Sequence, residues 1–289
     1  MRREDFFDLR IATLEPGDPA PADAHWVRLE DPSPAEIARR GEGWFYKPCA
    51  VTYVIRTPPS LEDYIARFFR TGARNKPRKV LREVPRRYRL DIAPGLARRA
   101  EFTQLYRRTI ASRPRGRDRL AEAGPLDPRE WMSFQLFDGS CLVAGLLVHR
   151  SRRHLSVGYG AFDPAHRALD LEHYLIMKVL ERAALEGASA VSLGMDTNRY
   201  GHHLPLGLPA YKLRLGFTPR AYEPAGRELV RLQNFAPFED GLFFYAYEGA
   251  GLAGHLFARG EPDVRPFRHP TAPPLRVHSI PEEKIPPRP

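Results

Sequence analysis

Three apolar runs, Trp131–Phe137, Cys141–His149 and His154–Phe162, follow one another with only Asp138-Gly139 and Ser151-Arg152-Arg153 between them. Connections this short force antiparallel neighbours, and Asp-Gly is a strong hairpin signal because both residues tolerate the positive φ of a tight turn. The longest helical pattern of the chain comes next, over 168–186, with Leu171, Tyr174, Leu175, Ile176, Val179, Leu180 and Ala183 on its apolar positions and Gly187 as its stop. Ala190–Leu193 reads as a buried strand, 207–215 as a short helix ending at Gly216, and Phe217–Tyr222 and Leu242–Tyr247 as the last strands. A meander crossed by a long helix before the sheet resumes is an α/β arrangement and excludes an all-helical or all-β chain.

The first half is less regular. Residues 1–24 are rich in proline, alanine and charge and are expected to be irregular. Strands are expected around Trp26–Glu30 and within Trp44–Arg56. Ser60-Leu61-Glu62-Asp63 has the form of a helix start, with Ser60 as N-cap and Tyr64, Ile65, Phe68 and Phe69 as the apolar face. Pro77 is expected to separate that helix from a basic one at 78–84. A short strand at Tyr88–Ile92, a helix over Gly95–Ser112 and a basic connection at 113–130 complete this half, and the tail from Gly260 carries little core material.

Charge is distributed unevenly. The 289 residues carry a net +10, but residues 67–119 alone hold 18 Lys and Arg against four acids, an excess of 14, which leaves the rest at −4. Such a concentration attracts phosphates at long range. Within 67–89 the cations alternate with Phe68, Phe69 and Tyr88, rings able to stack on bases. Arg70, Arg74, Lys76, Arg78, Lys79, Arg82, Arg86 and Arg87 are therefore the candidate RNA contacts, set against the ordinary reading of a solvated helix face. No apolar run reaches membrane-spanning length, the start lacks an apolar leader, and Cys49 and Cys141 are expected as free thiols, so a cytoplasmic protein without membrane insertion is expected. No CxxC or HExxH spacing points to a metal.

Three segments carry a resemblance to a known family. Ala73–Arg82 resembles a basic helical segment, Phe162-Asp163-Pro164 with the following helix resembles a central segment, and Ser192-Leu193-Gly194-Met195-Asp196 with Tyr211-Lys212-Leu213-Arg214-Leu215-Gly216-Phe217 resembles a strand, glycine and Tyr-Lys pattern. In this order they resemble the GNAT acyltransferases, and among them the Fem-ligase / BioF2-like branch, over roughly residues 50–250. The resemblance implies a splayed central β-sheet flanked by helices, preceded by a partial second GNAT-like half. The expected division is an irregular 1–24, a partial half with the basic segment over 25–125, a catalytic core over 126–250 and a Pro-rich tail over 251–289.

GNAT enzymes cradle the pyrophosphate of acetyl-coenzyme A on a glycine-rich turn at a helix N-terminus. Counted from Arg167, the two small positions of that turn are Asp170 and Glu172 here. Backbone N–H groups at a helix start favour an anion, and glycines let it approach. A carboxylate there opposes it: two unit charges at roughly 5 Å repel by on the order of 3 kcal/mol at an effective dielectric near 20. The bland reading is that acids favour the first turn of any helix. Both readings disfavour an ordinary coenzyme A site.

The candidate catalytic residues are Lys212, for the oxyanion or the terminal ribose of a tRNA; Asp196, His202 and His203, for the acceptor amine; and Gly158, where a bulge would turn a backbone N–H onto the acyl carbonyl. Gly160 interrupts the same strand, and close packing near Tyr159 explains both glycines equally well. Tyr159, Arg199, Tyr200 and Tyr211 are candidate substrate contacts. The expected function is transfer of an aminoacyl group from aminoacyl-tRNA to the amine of a small molecule or short peptide in specialised metabolism, with no cofactor or metal. The alternatives are an acyl-coenzyme A N-acyltransferase with an atypical pyrophosphate site, and an RNA-binding module without activity.

Overall fold

A computed structural model describes residues 1–39, 41–113, 115–238 and 240–280; the side chains of Arg167 and Ala168 also lie outside the description. Along the chain run β1 (Arg2–Phe6), β2 (Leu9–Thr13), β3 (Trp26–Glu30), α1 (Pro34–Arg39), β4 (Trp44–Pro48) and β5 (Ala50–Arg56). Then come α2 (Leu61–Phe68), α3 (Asn75–Arg87), β6 (Arg89–Pro94), α4 (Arg99–Ala111), α5 (Arg119–Glu122), β7 (Trp131–Asp138), β8 (Cys141–Arg150) and β9 (His154–Phe162). The remainder is α6 (Leu171–Leu185), β10 (Ala190–Thr197), α7 (Gly207–Arg214), β11 (Thr218–Ala221), β12 (Arg227–Leu232), β13 (Leu242–Glu248), β14 (Gly251–Ala258) and β15 (Leu275–Ser279). The architecture is mixed α/β, with large sheets and flanking helices.

The chain forms two compact units. One comprises Tyr53–Gly194 with Arg214–Phe217, the other Met1–Thr52, Met195–Leu213 and Thr218–Pro289. In the first, the strands lie in the order β5-β10-β9-β8-β7-β6. The β6–β9 meander is antiparallel throughout, while β10 joins β9 in parallel. Gly139 takes φ +60° in the β7–β8 turn, as its Asp-Gly signal requires. α4 packs on β8 and β9, α6 packs against β7, β8 and β9, and α3 lies against α6. Phe102, Leu105 and Tyr106 of α4 meet Phe137, Leu147 and Ala161 of the sheet in one apolar cluster.

The second unit holds a five-stranded sheet, β1-β2-β3-β12-β4, and a three-stranded one, β13-β14-β15. Leu9, Ile11, Trp26, Val230, Phe244 and Phe257 share its core.

Several elements differ from the sequence reading. The segment 1–24 contains β1 and β2. β1 is rich in charge yet forms an edge strand, because Arg2 and Arg3 find Glu30 and Asp23 beside them. The expected strand within Trp44–Arg56 is two strands, β4 and β5, parted at Cys49. Pro77 breaks nothing: it stands in the first turn of α3, where the missing N–H costs no helical bond. The break comes earlier, between Phe68 and Asn75. β12, β14 and β15 escaped notice, and Phe257 and Ile280, beyond the expected core, are buried in it.

Candidate active site

Gly158 is the extra residue of a β-bulge. Leu147 of β8 pairs with Tyr159 and Val148 pairs with Val157, so Gly158 has no partner position. The parallel ladder between β9 and β10 stops at Ser156 and Ser192, immediately before that bulge. Regular pairing thus ends where β9 is kinked, although Gly194 of β10 stays so near that a Cβ on it would come within 2.5 Å of the Val157 carbonyl oxygen. Glycine is required here for packing as well. A Cβ on Gly158 would come within 2.7 Å of the Trp131 ring, and one on Gly160 within 2.9 Å of the Phe162 ring. Tyr159, expected to touch substrate, is half-buried between Tyr106 and Trp131, with ring centroids at 5.8 and 5.7 Å. Its ring belongs to the packing of α4 on the sheet.

At the other end of this segment, Asp170 is the N-cap of α6 in a left-handed conformation, φ +51° and ψ +51°, and its side chain makes no capping bond. Its carboxylate instead meets the Lys76 ammonium of α3 at 3.3 Å. His173, one turn into α6, brings Nδ1 to 3.9 Å of the same carboxylate. The His173 ring is buried and stacked on Phe69, centroids 5.6 Å apart, and its Nε2 has no hydrogen-bond partner. Burial pushes its pKa down to about 4; Asp170 opposes that shift and Lys76 adds to it. The start of α6 is therefore occupied by the chain's own carboxylate and cation. Tyr88 tightens the same corner through a 2.9 Å bond between its hydroxyl and His166 Nδ1.

The basic helix is mostly engaged within the protein. Arg74 donates to the carbonyls of Ala66 and Phe69. Arg78 pairs with Glu62, Arg82 and Arg86 with Glu83, and Arg87 with Asp138. Lys76 holds Asp170. Of the eight candidate RNA contacts, only Arg70 and Lys79 make no side-chain hydrogen bond or close ion pair among the described residues, and Lys79 still acts on Glu83 at longer range. Exposed pairs of this kind are worth at most about 1 kcal/mol and exchange readily for a phosphate.

In the second unit, Lys212 of α7 and Asp196 of β10 form a bidentate ion pair, Nζ at 2.8 Å from Oδ1 and 2.7 Å from Oδ2. Their side chains are only 8% and 10% exposed. Tyr200, fully buried, donates its hydroxyl to Asp196 Oδ2 at 3.1 Å. Lys212 is thus part of a buried polar triad rather than of an open helix face. Tyr200, expected as a substrate contact, lies here as a support for Asp196. Tyr211 precedes Lys212 on α7 and is half-buried.

The two histidines also take other places. His202 is buried with Nε2 at 2.5 Å from Asp8, pinning the β1–β2 turn, and His203 bonds Thr197 Oγ1 at 2.9 Å. Asn198 of the same loop escaped notice and is fully buried. Its side chain donates to Pro48 and Tyr245 carbonyls and accepts from the Tyr245 N–H. Arg199 lies between the rings of Phe6 and Trp26. Lys47 and Glu228 form a further buried pair at 2.5 Å that local sequence could not reveal, since the partners are 181 residues apart. Among the described residues no group of three or more His, Cys, Asp or Glu is placed to hold a metal ion, and no helix is long and apolar enough to cross a membrane.

A family model described as "Acetyltransferase (GNAT) domain" matches residues 58–202, half of the chain. The chain belongs to this family. It is an acyltransferase of the GNAT superfamily, and the bulge at Gly158 and the end of the β9–β10 ladder lie inside the matched region. No curated protein matches the sequence. Among solved structures, the chain is similar to FemX, at 13% identity over 73% of each chain with a TM-score of 0.45. It is similar to the C-terminal domain of a protein described as a lysylphosphatidylglycerol synthetase from Agrobacterium fabrum, at 11% identity over 74% of this chain and 68% of that one, TM-score 0.40. It is also similar to a tandem GNAT protein of the clavulanic acid pathway, at 16% identity over 73% and 65%, TM-score 0.39. The family match, rather than these distant likenesses, carries the assignment.

Proposed function

We propose that this acyltransferase forms an amide by direct transfer of an aminoacyl group from aminoacyl-tRNA to the amine of a small molecule or short peptide. The observation that carries the choice of donor is the Asp170 carboxylate at the start of α6, held there by Lys76. A pyrophosphate at that helix terminus would have to displace Lys76 and lie against a carboxylate. A tRNA ester makes no such demand, since its phosphates are met across a broad basic surface and its acyl group alone enters the sheet.

In this reading the ester carbonyl lies at the Gly158 bulge. The neutral acceptor amine attacks it, the C–N bond forms, the C–O bond to the ribose breaks, and the proton lost by the nitrogen passes to the departing oxygen, which leaves as the ribose hydroxyl. No covalent enzyme intermediate is needed, because the ester is already activated. The protein contributes orientation and stabilisation of the oxyanion. The backbone at the Gly158 bulge is assigned that stabilisation. Acyl-coenzyme A as donor is the second reading; the family's description favours it, with Lys79 and a released Lys76 meeting the pyrophosphate.

The test is incubation with charged tRNA pools and labelled amino acids, with and without ribonuclease, beside labelled acetyl-coenzyme A, against a panel of amines. The proposal expects ribonuclease-sensitive transfer. Transfer from acetyl-coenzyme A alone overturns it. Lys212→Met is expected to cost about 3–5 kcal/mol of stability by leaving Asp196 buried without its partner. Pairing it with Asp196→Leu should recover most of that stability.

A further inference from the structure

Arg199 is a cation without an anion. Its guanidinium carbon lies 5.3 Å from the Phe6 ring centroid and 5.5 Å from that of Trp26. Its Nε is fully buried and bonds to nothing, and its side chain makes no hydrogen bond or ion pair among the described residues. Burial pushes its pKa down, while Glu228 and Glu4 act in the opposite sense. Both of those carboxylates are already taken. Glu228 meets Lys47 at 2.5 Å. Glu4 and Glu30 meet Arg28 at 3.4 and 2.8 Å, and Glu30 also meets Arg2 at 3.2 Å. Three cations therefore face three carboxylates, and Arg199 is one charge in surplus.

Aromatic faces attract a guanidinium, but they leave its N–H donors unsatisfied. Buried polar groups in native proteins are almost always bonded, so an exception asks for a missing partner. The position is also built rather than incidental. Asn198 and Tyr200 on either side are fully buried, and the Arg199 N–H closes a tight turn onto the Thr197 carbonyl at 2.6 Å. The residue as a whole is only partly buried.

We infer that Arg199, between Phe6 and Trp26, is the receptor for a single carboxylate of a substrate. A guanidinium fork matches a carboxylate in two parallel bonds. A surplus of one positive charge is balanced by a monoanion and overshot by a phosphate dianion. Resting on the proposed transfer reaction, this makes the acceptor an amine that also carries a carboxylate, as an amino acid or a peptide does.

The experiment is calorimetric titration of the full chain with benzoate, with benzamide as its neutral isostere and with inorganic phosphate, on the wild type, Arg199→Met and Arg199→Lys. Benzoate is expected to bind saturably, at least tenfold more tightly than benzamide or phosphate, and Arg199→Met is expected to abolish it. Without benzoate, the thermal midpoint of Arg199→Met should equal or exceed that of the wild type, since an unbalanced charge has been removed. Should Arg199→Met fail to fold, Arg199→Lys keeps the charge, loses the fork and is expected to bind benzoate at least tenfold more weakly. Equal binding of benzamide, preferential binding of phosphate, retention of benzoate binding by either variant, or absence of benzoate binding to the wild type overturns the assignment. None of these readings needs an acyl donor, so failure of the proposed transfer leaves them unaffected, and transfer without benzoate binding removes only the carboxylate receptor.

Discussion

Gly158 and Asp170 stand on the same β9–α6 segment, yet one is bare and the other filled. At Gly158 the sheet is bulged and its regular pairing with β10 ends. At Asp170 a carboxylate, the Lys76 ammonium and the buried His173 ring take up the start of α6. In the proposed reading the first holds the acyl group and the second excludes pyrophosphate, so that acyl placement and donor anchoring are separable. The first depends on strand geometry, which any donor with the right carbonyl can use. The second depends on charge at one helix terminus, which selects the donor.

The comparison is broken most severely at its bare end. Gly158→Val would drive a side chain into Trp131 and remove the freedom of the bulge. We expect transfer to fall by about 100-fold or more, with about 1–3 kcal/mol lost from overpacking, read by single-turnover transfer and urea midpoints. Activity close to wild type would remove the bulge from the mechanism.

The filled end is sharpened by pH. The unfolded histidine titrates near 6.5 and folded His173 at about 4, so between those values the unfolded chain binds the extra proton. The contribution of neutral His173 is complete above about pH 6.5 and is lost as pH falls from there through about 4. The span corresponds to up to about 3 kcal/mol. Between about pH 7.5 and pH 4.5 the urea midpoint should fall further in the wild type than in His173→Leu, and an equal fall would remove His173 from this account.

Asp170→Gly goes further by converting the filled end toward the bare one. Glycine accepts the φ of +51° without strain, and the substitution frees Lys76. Affinity for coenzyme A, read by calorimetry, is expected to rise about tenfold, the equivalent of about 1.4 kcal/mol. The smallest effect concerns the two unengaged cations. Arg70→Ala with Lys79→Ala should lower the slope of log binding constant against log salt for tRNA by about one per residue removed. An unchanged slope would dismiss this face as an RNA contact.

The contrast explains what the sequence could reveal. The meander, the long helix after it and the α2 start are encoded in local pattern. Ser60 does cap α2 by accepting from the Asp63 N–H, and the β7–β8 hairpin follows its Asp-Gly. The glycine at the bulge and the acids at the α6 start were visible for the same reason. What remained hidden depends on partners distant in sequence. β1 is a strand because β2 and Glu30 supply pairing and charge, and α3 loses most of its free cations to Glu62, Glu83, Asp138 and Asp170. The burial of Lys212, the tether of His202 to Asp8 and the isolation of Arg199 are likewise tertiary facts that residue type alone does not disclose.

Titration of the unaltered protein with acetyl-coenzyme A tests the central claim most directly. If the chain's own ion pair closes the start of α6 to pyrophosphate, no saturable heat should develop up to millimolar ligand. Saturable binding at micromolar concentration, lost on mutation of Lys76 or Lys79, would contradict it.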